Sequence, residues 1–339
     1  MEDRDIQVGE RLLGPRRPAL LVAEIGGNHG GDPALAASMV RAAAAAGAGG
    51  VKFQAYRARD LMSRDSPYFQ ELAAEELPFE ALAELVRLGR NLGLVTGLTV
   101  FDEAGLDLAR TAGADFLKIS SGDLTHHRLL ARARAAGPPV FVSTGAGEAA
   151  EAEAALAILN PARTVLLQCT ALYPAPPSSA NLAVMAGWLS RGVAAGYSDH
   201  GLGLDAARLA LALGALVLEK HFTLVQTLPG GDNTISATPD EFRRLADWAQ
   251  DICILAGDQT KRVQPEEEAA RPLIRRAVLA ARALPAGTRL APGDLALKRP
   301  PAAGPGLWGP EDLEKAMGRL LARSMTPDEP LTGSHLADG

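Results

Sequence analysis

Six scattered stretches of this chain end an apolar run in side chains capable of chemistry: Glu24 in VAEIGGNHG, Lys52 in VKFQ, Lys118 to Asp123 in KISSGD, Ser143 in STG, His200 in SDH and His221 in EKH. A single histidine of this kind would read as a hydrogen-bonded structural residue. Two of the chain's six histidines at neighbouring run ends suit a divalent transition metal such as manganese or cobalt, completed by carboxylate or water. Lysine is almost never fully buried without a partner, so Lys52 and Lys118 at the ends of apolar runs demand an explanation. With Thr99, Ser121 and Ser143 they make a site for a compact anion, the lysines supplying charge and the hydroxyls directed donors. The alternative is a pair of structural ion bridges to Glu24 and Asp123. Those two carboxylates are the candidate general acid and base. Gln54, Tyr173 and Asp232 suit sugar hydroxyls, although Tyr173, in the proline-rich YPAPP loop, could equally serve packing.

The elements that must position these groups alternate regularly. Apolar runs of strand length cover residues 20–25, 50–54, 94–99, 116–119, 140–143, 165–169, 193–197 and 216–219. Helical stretches follow them at 33–46, 79–91, 103–112, 128–135, 149–158, 182–188, 204–213 and 239–255. Short, wholly apolar strands belong to a parallel sheet buried on both faces. Eight strand–helix units predict an α/β fold closed into a (β/α)8 TIM barrel, which collects its chemistry at the C-terminal strand ends. The lack of a GxGxxG after the first strand argues against an open dinucleotide-binding sheet. The barrel is expected over 18–258, after a polar N-terminal extension, 1–17. A charged linker, 259–271, then leads to a small β-rich module, 272–339. That module should hold strands within 277–283, at 295–298 and at 320–324, and a helix at 310–317. Its size makes docking on a partner surface expected.

The bulk composition narrows the function. Of 339 residues, 47% are hydrophobic and 22% charged, enough for a large core. A net charge of −6, with no block of Lys/Arg, argues against a nucleic-acid partner. Residues 1–17 lack the apolar stretch of a signal peptide, and no run reaches membrane-spanning length, so neither secretion nor a membrane is expected. The two cysteines, Cys169 and Cys253, form no disulfide framework; each reads as a small buried hydrophobe, consistent with a reducing cytoplasm.

Taken in order, AEIGGNHGG, VKFQ, KISSGDL, STGAG, CTALYPAP, GYSDH, EKHFT and PGGD, followed by RRAVLAAR, LPAGTRL, LALKRP and GPGL, resemble the N-acetylneuraminate (sialic acid) synthase family, a TIM barrel followed by an antifreeze-like domain. The resemblance implies condensation of phosphoenolpyruvate with the open-chain aldehyde of an N-acylmannosamine-type sugar. The product would be a nonulosonic acid plus phosphate. It implies a divalent metal, manganese first, with magnesium or cobalt as alternatives, held by His200 and His221. Phosphoenolpyruvate would be bound by Lys52, Thr99, Lys118, Ser121 and Ser143, with Glu24 and Asp123 as catalytic carboxylates and Gln54, Tyr173 and Asp232 on the sugar. Arg299 in LKRP resembles an arginine that reaches the partner subunit's site and contacts the N-acyl group, which implies a domain-swapped homodimer. The chain departs from the family pattern at Ala171, often Asn; at Asn233, where a histidine is usual; at Asp123, more usually Glu; and in GLTVFD. These changes leave the acceptor open. A related phosphoenolpyruvate-dependent synthase using another sugar or a sugar phosphate, or a non-catalytic carbohydrate-binding homologue, are the other readings.

Overall fold

A computed structural model describes residues 5–258 and 260–337. Eight parallel strands close on themselves: β3 (Leu20–Glu24), β4 (Gly50–Ala55), β5 (Val95–Val100), β6 (Phe116–Ile119), β7 (Val140–Ser143), β8 (Thr164–Cys169), β9 (Ala195–Asp199) and β10 (Val217–His221), with β10 pairing back onto β3. The helices are α1 (Pro33–Ala45), α2 (Ala58–Leu61), α3 (Phe69–Ala74), α4 (Phe79–Asn91), α5 (Glu103–Ala112), α6 (His127–Ala136), α7 (Ala149–Ile158), α8 (Ala183–Ser190), α9 (Asp205–Ala212) and α10 (Pro239–Ala256). Their apolar stripes explain the packing. In α4, Leu82, Leu85, Val86 and Gly89 are buried at the three-to-four spacing of one helix face. Ends are set locally: Asp32 caps α1, and Thr238 with Glu241 forms a capping box ahead of Pro239 at the start of α10.

Successive residues of a strand face opposite ways, so the core splits into two layers. Leu21, Ala23, Val51, Phe53, Val140 and Val142 pack outward into the helices. Leu20, Val22, Val95, Phe116, Phe141, Val165, Leu167 and Val217 fill the lumen near its N-terminal end. Phe116 and Phe141 stack there with centroids 4.4 Å apart. Gly97 makes room for them, because a Cβ at this position would sit 2.2 Å from the Phe116 ring.

The N-terminal extension is more than the polar tail its composition suggested. It contains a hairpin, β1 (Ile6–Val8) with β2 (Arg11–Leu13), that places Ile6, Val8 and Leu13 in the lumen cluster. Alternation hid this: three apolar residues per hairpin suffice when each alternate position faces inward. The seventh barrel strand also shifted, since β9 begins at Ala195 rather than 193 and runs on to Asp199.

Residues beyond Asp258 form a second compact unit. In it β11 (Ala277–Ala280) pairs antiparallel with β12 (Leu295–Lys298), around a core that includes Val278, Leu284, Leu290, Leu321, Met325 and Leu331. The expected strand at 320–324 is not a regular strand. Leu320 and Leu321 make single bridges, to Arg289 and Leu336. The expected helix at 310–317 is a 3-10 turn, Pro310–Asp312, followed by one helical turn, Leu313–Ala316. Among the described residues no helix is long and apolar enough to cross a membrane.

Candidate active site

The alternation that puts aromatic side chains low in the lumen puts polar ones at its C-terminal end. Two residues after Val22 comes Glu24; two after Gly50 comes Lys52; two after Phe116 comes Lys118; two after Val217 comes Glu219, and two further is His221. Strand register sets their neighbours. His221 pairs with Glu24, Glu24 with Lys52, Gln54 with Thr99 and Thr99 with Lys118. Asp199 and Lys220 occupy the opposite parity. They pair with each other at 2.8 Å, and Lys220 also donates to the Gly201 carbonyl, so the middle members of SDH and EKH brace adjacent strands.

Lys52 contacts Glu24 and donates to Thr99 Oγ1 at 2.7 Å. Glu219 is the hub. Its Oε1 lies 3.4 Å from Lys118 Nζ and accepts from Ser198 Oγ at 2.9 Å, while its Oε2 is 3.9 Å from Lys52 Nζ. All four charged groups are buried. Burial pulls Lys52 down, but Glu219 and Glu24 outweigh it and hold the ammonium above its ordinary value. Burial also pulls Lys118 down, and Glu219 offsets it only in part, so Lys118 lies below its ordinary value. Burial raises the Glu219 carboxyl; Lys118 and Lys52 more than reverse that. The bridge from Lys118 to Asp123 weighed in the sequence does not form. Asp123 accepts instead from Ser120 Oγ at 2.6 Å, within the turn that follows β6, and Glu219 takes the lysine. The cause is parity: Glu219 points into the lumen, whereas Asp123 lies beyond the strand end in a 3-10 turn.

Ser121 and Ser143 sit on the same side. Ser121 Oγ accepts from the Gly145 N–H at 3.1 Å and lies 3.7 Å from Cys169 Sγ. Ser143 Oγ is buried without a hydrogen-bond partner. Cys169 is buried as expected but is not a passive hydrophobe, since its sulfur also lies 3.7 Å from His200 Nδ1. Cys253 does not meet the expectation of burial. It is half-exposed near the end of the long α10, with its sulfur 3.5 Å from the Arg16 carbonyl oxygen.

The two histidines converge, with ring centroids 5.5 Å apart. His200 Nδ1 is 2.8 Å from the Thr170 carbonyl, which fixes that nitrogen as the protonated one and leaves Nε2 facing the Tyr173 hydroxyl at 3.0 Å. Tyr173 stacks on His200 at 4.1 Å. Burial lowers His200, but contact with Cys169 raises it further, leaving it above its ordinary value. Burial, reinforced by His200 and Lys52, holds His221 well below its ordinary value, so it is neutral at neutral pH. His221 Nδ1 is buried without a hydrogen bond, and Asp232 Oδ2 approaches it at 3.4 Å. Among the described residues no three His, Cys, Asp or Glu side chains form a complete metal cage.

Gln54 Nε2 donates to Glu24 Oε1 at 3.1 Å, so it steers that carboxylate. Asn233, which replaces a usual histidine, is buried. It accepts from Thr223 Oγ1 at 2.6 Å and donates to the Gly230 carbonyl at 2.7 Å, closing the loop that carries Asp232. Ala171 is exposed beside Gly145. Arg299 lies in the second unit, exposed, directly after β12. Sequence reasoning missed Glu219, Ser198 and Cys169 as lumen residues. Counting parity back from the flanking histidines would have found the first two.

Comparisons with known proteins place the chain among characterised families. Residues 39–261 match the NeuB family and residues 275–337 the SAF domain. The chain belongs to the NeuB family. It is 32% identical, over 97% of its own length and 97% of the relative's, to the N,N'-diacetyllegionaminic acid synthase of Legionella pneumophila. It is 29% identical to the N-acetylneuraminate-9-phosphate synthase of Mus musculus, over 94% and 93% of the two chains. The crystal structure of the N-acetylneuraminic acid synthetase of Leptospira borgpetersenii, solved with citrate, superposes with a TM-score of 0.76 at 32% identity, covering 79% of this chain and 95% of that one.

Proposed function

We propose that this NeuB-family chain condenses phosphoenolpyruvate with the aldehyde of an N-acylmannosamine-type sugar to give a nonulosonic acid and phosphate. The observation that carries the reading is the lumen itself: two buried lysines, an unpartnered buried serine hydroxyl and two converging imidazoles share one mouth with Glu24. Lys52, Lys118, Thr99, Ser121 and Ser143 bind the phosphate and carboxylate of phosphoenolpyruvate. Because Glu24 and Glu219 already balance the lysines, binding proceeds by exchange of one anionic partner for another, without exposing a bare ammonium. Gln54, Tyr173 and Asp232 hold the sugar and bring its aldehyde carbon to C3 of phosphoenolpyruvate. Holding two small reactants face to face is the main service of such a pocket. As the carbon–carbon bond forms, positive charge develops at C2 of phosphoenolpyruvate and is met by the lumen carboxylates. The aldehyde oxygen receives the C=O electron pair and takes a proton as the bond forms. Water then adds at C2, with Glu24 or Asp123 taking its proton, and the new C2 hydroxyl gives up its remaining proton as the C2–O bond to phosphate breaks, leaving a ketone and releasing phosphate.

His200 and His221 fit a divalent cation. His221 is a neutral imidazole with an orphaned buried nitrogen, and the Thr170 carbonyl orients His200. The family resemblance puts manganese first, with magnesium or cobalt as alternatives, and water or substrate oxygens would complete the shell. Such an ion would supply Lewis acidity toward the aldehyde oxygen. A cytoplasmic homodimer in which Arg299 enters the partner's site belongs to the same proposal. It is supported by the exposure of Arg299 and by cysteines that form no disulfide.

The test offers phosphoenolpyruvate with a panel of 2-acylamido sugars and follows phosphate release with and without manganese. Release with at least one sugar is expected. No turnover across the panel, with phosphoenolpyruvate still bound, would favour a non-catalytic carbohydrate-binding role.

A further inference from the structure

The loop between β4 and α4 carries α2 and α3, is braced within itself, and is tied to neighbouring strand-end loops through Glu75. Tyr56 Oη donates to the Leu72 carbonyl at 3.1 Å, and Glu76 Oε2 accepts from the Ala58 N–H at 2.7 Å. Glu75, the residue that ends α3, accepts from the Gly231 N–H at 2.9 Å. Its other oxygen lies against Gly27, where a Cβ would stand only 2.0 Å away. Gly26, the neighbour of Gly27, faces the other way, toward Glu24, Gln54 and His221, with all three within 3.5 Å of where a Cβ would be. Gly231 is followed by Asp232, whose carboxylate approaches His221. Glu75 is therefore one residue removed from the reacting groups along two separate chain segments.

Carboxylates line this side of the mouth from the lumen outward: Glu24, Asp232, Glu75 and, on α3, Glu71. Among the described residues no Lys or Arg forms an ion pair with Asp232, Glu75 or Glu71. The cations of the site, Lys52 and Lys118, lie deeper in the lumen with Glu219. Two buried polar atoms without partners face the same region: His221 Nδ1, toward Asp232, and Asn28 Oδ1, 2.9 Å from where a Gly231 Cβ would be. The arrangement offers acceptors to hydroxyl and amide hydrogens and offers nothing to a second phosphate.

We infer that Glu75, with Asp232 and Glu71, is an electrostatic specificity filter at the acceptor entrance, so that the acceptor sugar is uncharged and its phosphate ester is rejected. The inference rests on the proposed function and narrows its substrate class. A dianionic ester brought within several ångströms of the Glu75 carboxylate in a water-exposed mouth is disfavoured by about tenfold for that one charge. Burial pushes the Glu75 carboxyl up to about 7, with Glu71 and Asp232 adding to the shift, so the charged form predominates at pH 8.

The experiment follows phosphoenolpyruvate consumption at pH 8 with 2-acetamido-2-deoxymannose and with its 6-phosphate, in the wild type and in Glu75→Gln. The free sugar should have the higher kcat/KM, and the variant should narrow the ratio about tenfold toward the ester. High salt should narrow the wild-type ratio as well, because screening weakens the repulsion. A purely structural role for Glu75 would change both substrates alike and leave no salt dependence of the ratio. Should Glu75→Gln fold poorly, Glu71→Gln should narrow the ratio in the same direction by less. A wild-type preference for the ester, or a ratio insensitive to both substitutions and to salt, overturns the filter. Consumption of neither sugar moves the comparison to whichever panel sugar is turned over and its phosphate ester; turnover of none overturns the proposed function instead.

Discussion

Replacing Glu219 by Gln would test the charge balance of the lumen most directly. Among the described residues Glu219 is the only ion-pair partner of Lys118, whereas Lys52 keeps Glu24 and Thr99. Glutamine preserves the shape and can still bond Ser198, so the loss falls on Lys118. Breaking a buried pair by removing one partner typically costs about 3–5 kcal/mol. Deprotonation of the lysine sets a ceiling. Neutralising a group with an ordinary pKa of 10.5 costs about 5 kcal/mol at pH 7 and about 2 kcal/mol at pH 9. The sign follows from proton linkage. Lys118 in the folded variant titrates lower still, so between that value and 10.5 the unfolded chain binds more protons and stability rises with pH. Urea unfolding followed by circular dichroism should therefore show the variant about 3–5 kcal/mol less stable at pH 7, narrowing to about 2 kcal/mol or less at pH 9. Inorganic phosphate should restore more stability to the variant than to the wild type, since it replaces the missing anion. A loss below about 1 kcal/mol at pH 7, or an equal loss at both pH values, would refute the view that Lys118 depends on Glu219.

His221→Ala should abolish metal-dependent phosphate release while leaving phosphate binding at the lysines; full activity would remove the metal assignment. Gly97→Ala should cost about 1–3 kcal/mol by driving a methyl into the Phe116 ring, measured by denaturant midpoint, and an unchanged midpoint would show that the ring can move aside. Glu75→Gln should make the protein slightly more stable at pH 8 and no more stable at pH 4. The raised carboxyl of Glu75 contributes stability below about 4.5 that is lost as pH rises through about 7, and solvent screening limits the effect to about 1 kcal/mol. Deletion of residues 272–339 should raise the apparent KM for sugar and leave the barrel folded; an unaltered KM would count against a role for Arg299.

Much of the architecture was legible because a parallel barrel writes itself as apolar runs of strand length separated by helices. Six of the predicted elements, including 116–119, 79–91 and 295–298, match the observed bounds to the residue. The hairpin Ile6–Leu13 was not legible, because its few inward residues become apolar surface only against Phe116 and Phe141 across the lumen. The residue types of the site were present in order along the chain, and Lys52, Thr99, Lys118, His200 and His221 do meet at one strand end. What the linear order of residues could state was which chemistry was available: amines, imidazoles, carboxylates and hydroxyls at strand ends. Which carboxylate neutralises which lysine was decided by closure of the sheet. Closure brings β10 beside β3 and turns Glu219 inward and Lys220 outward, and that parity depends on register across strands some two hundred residues apart.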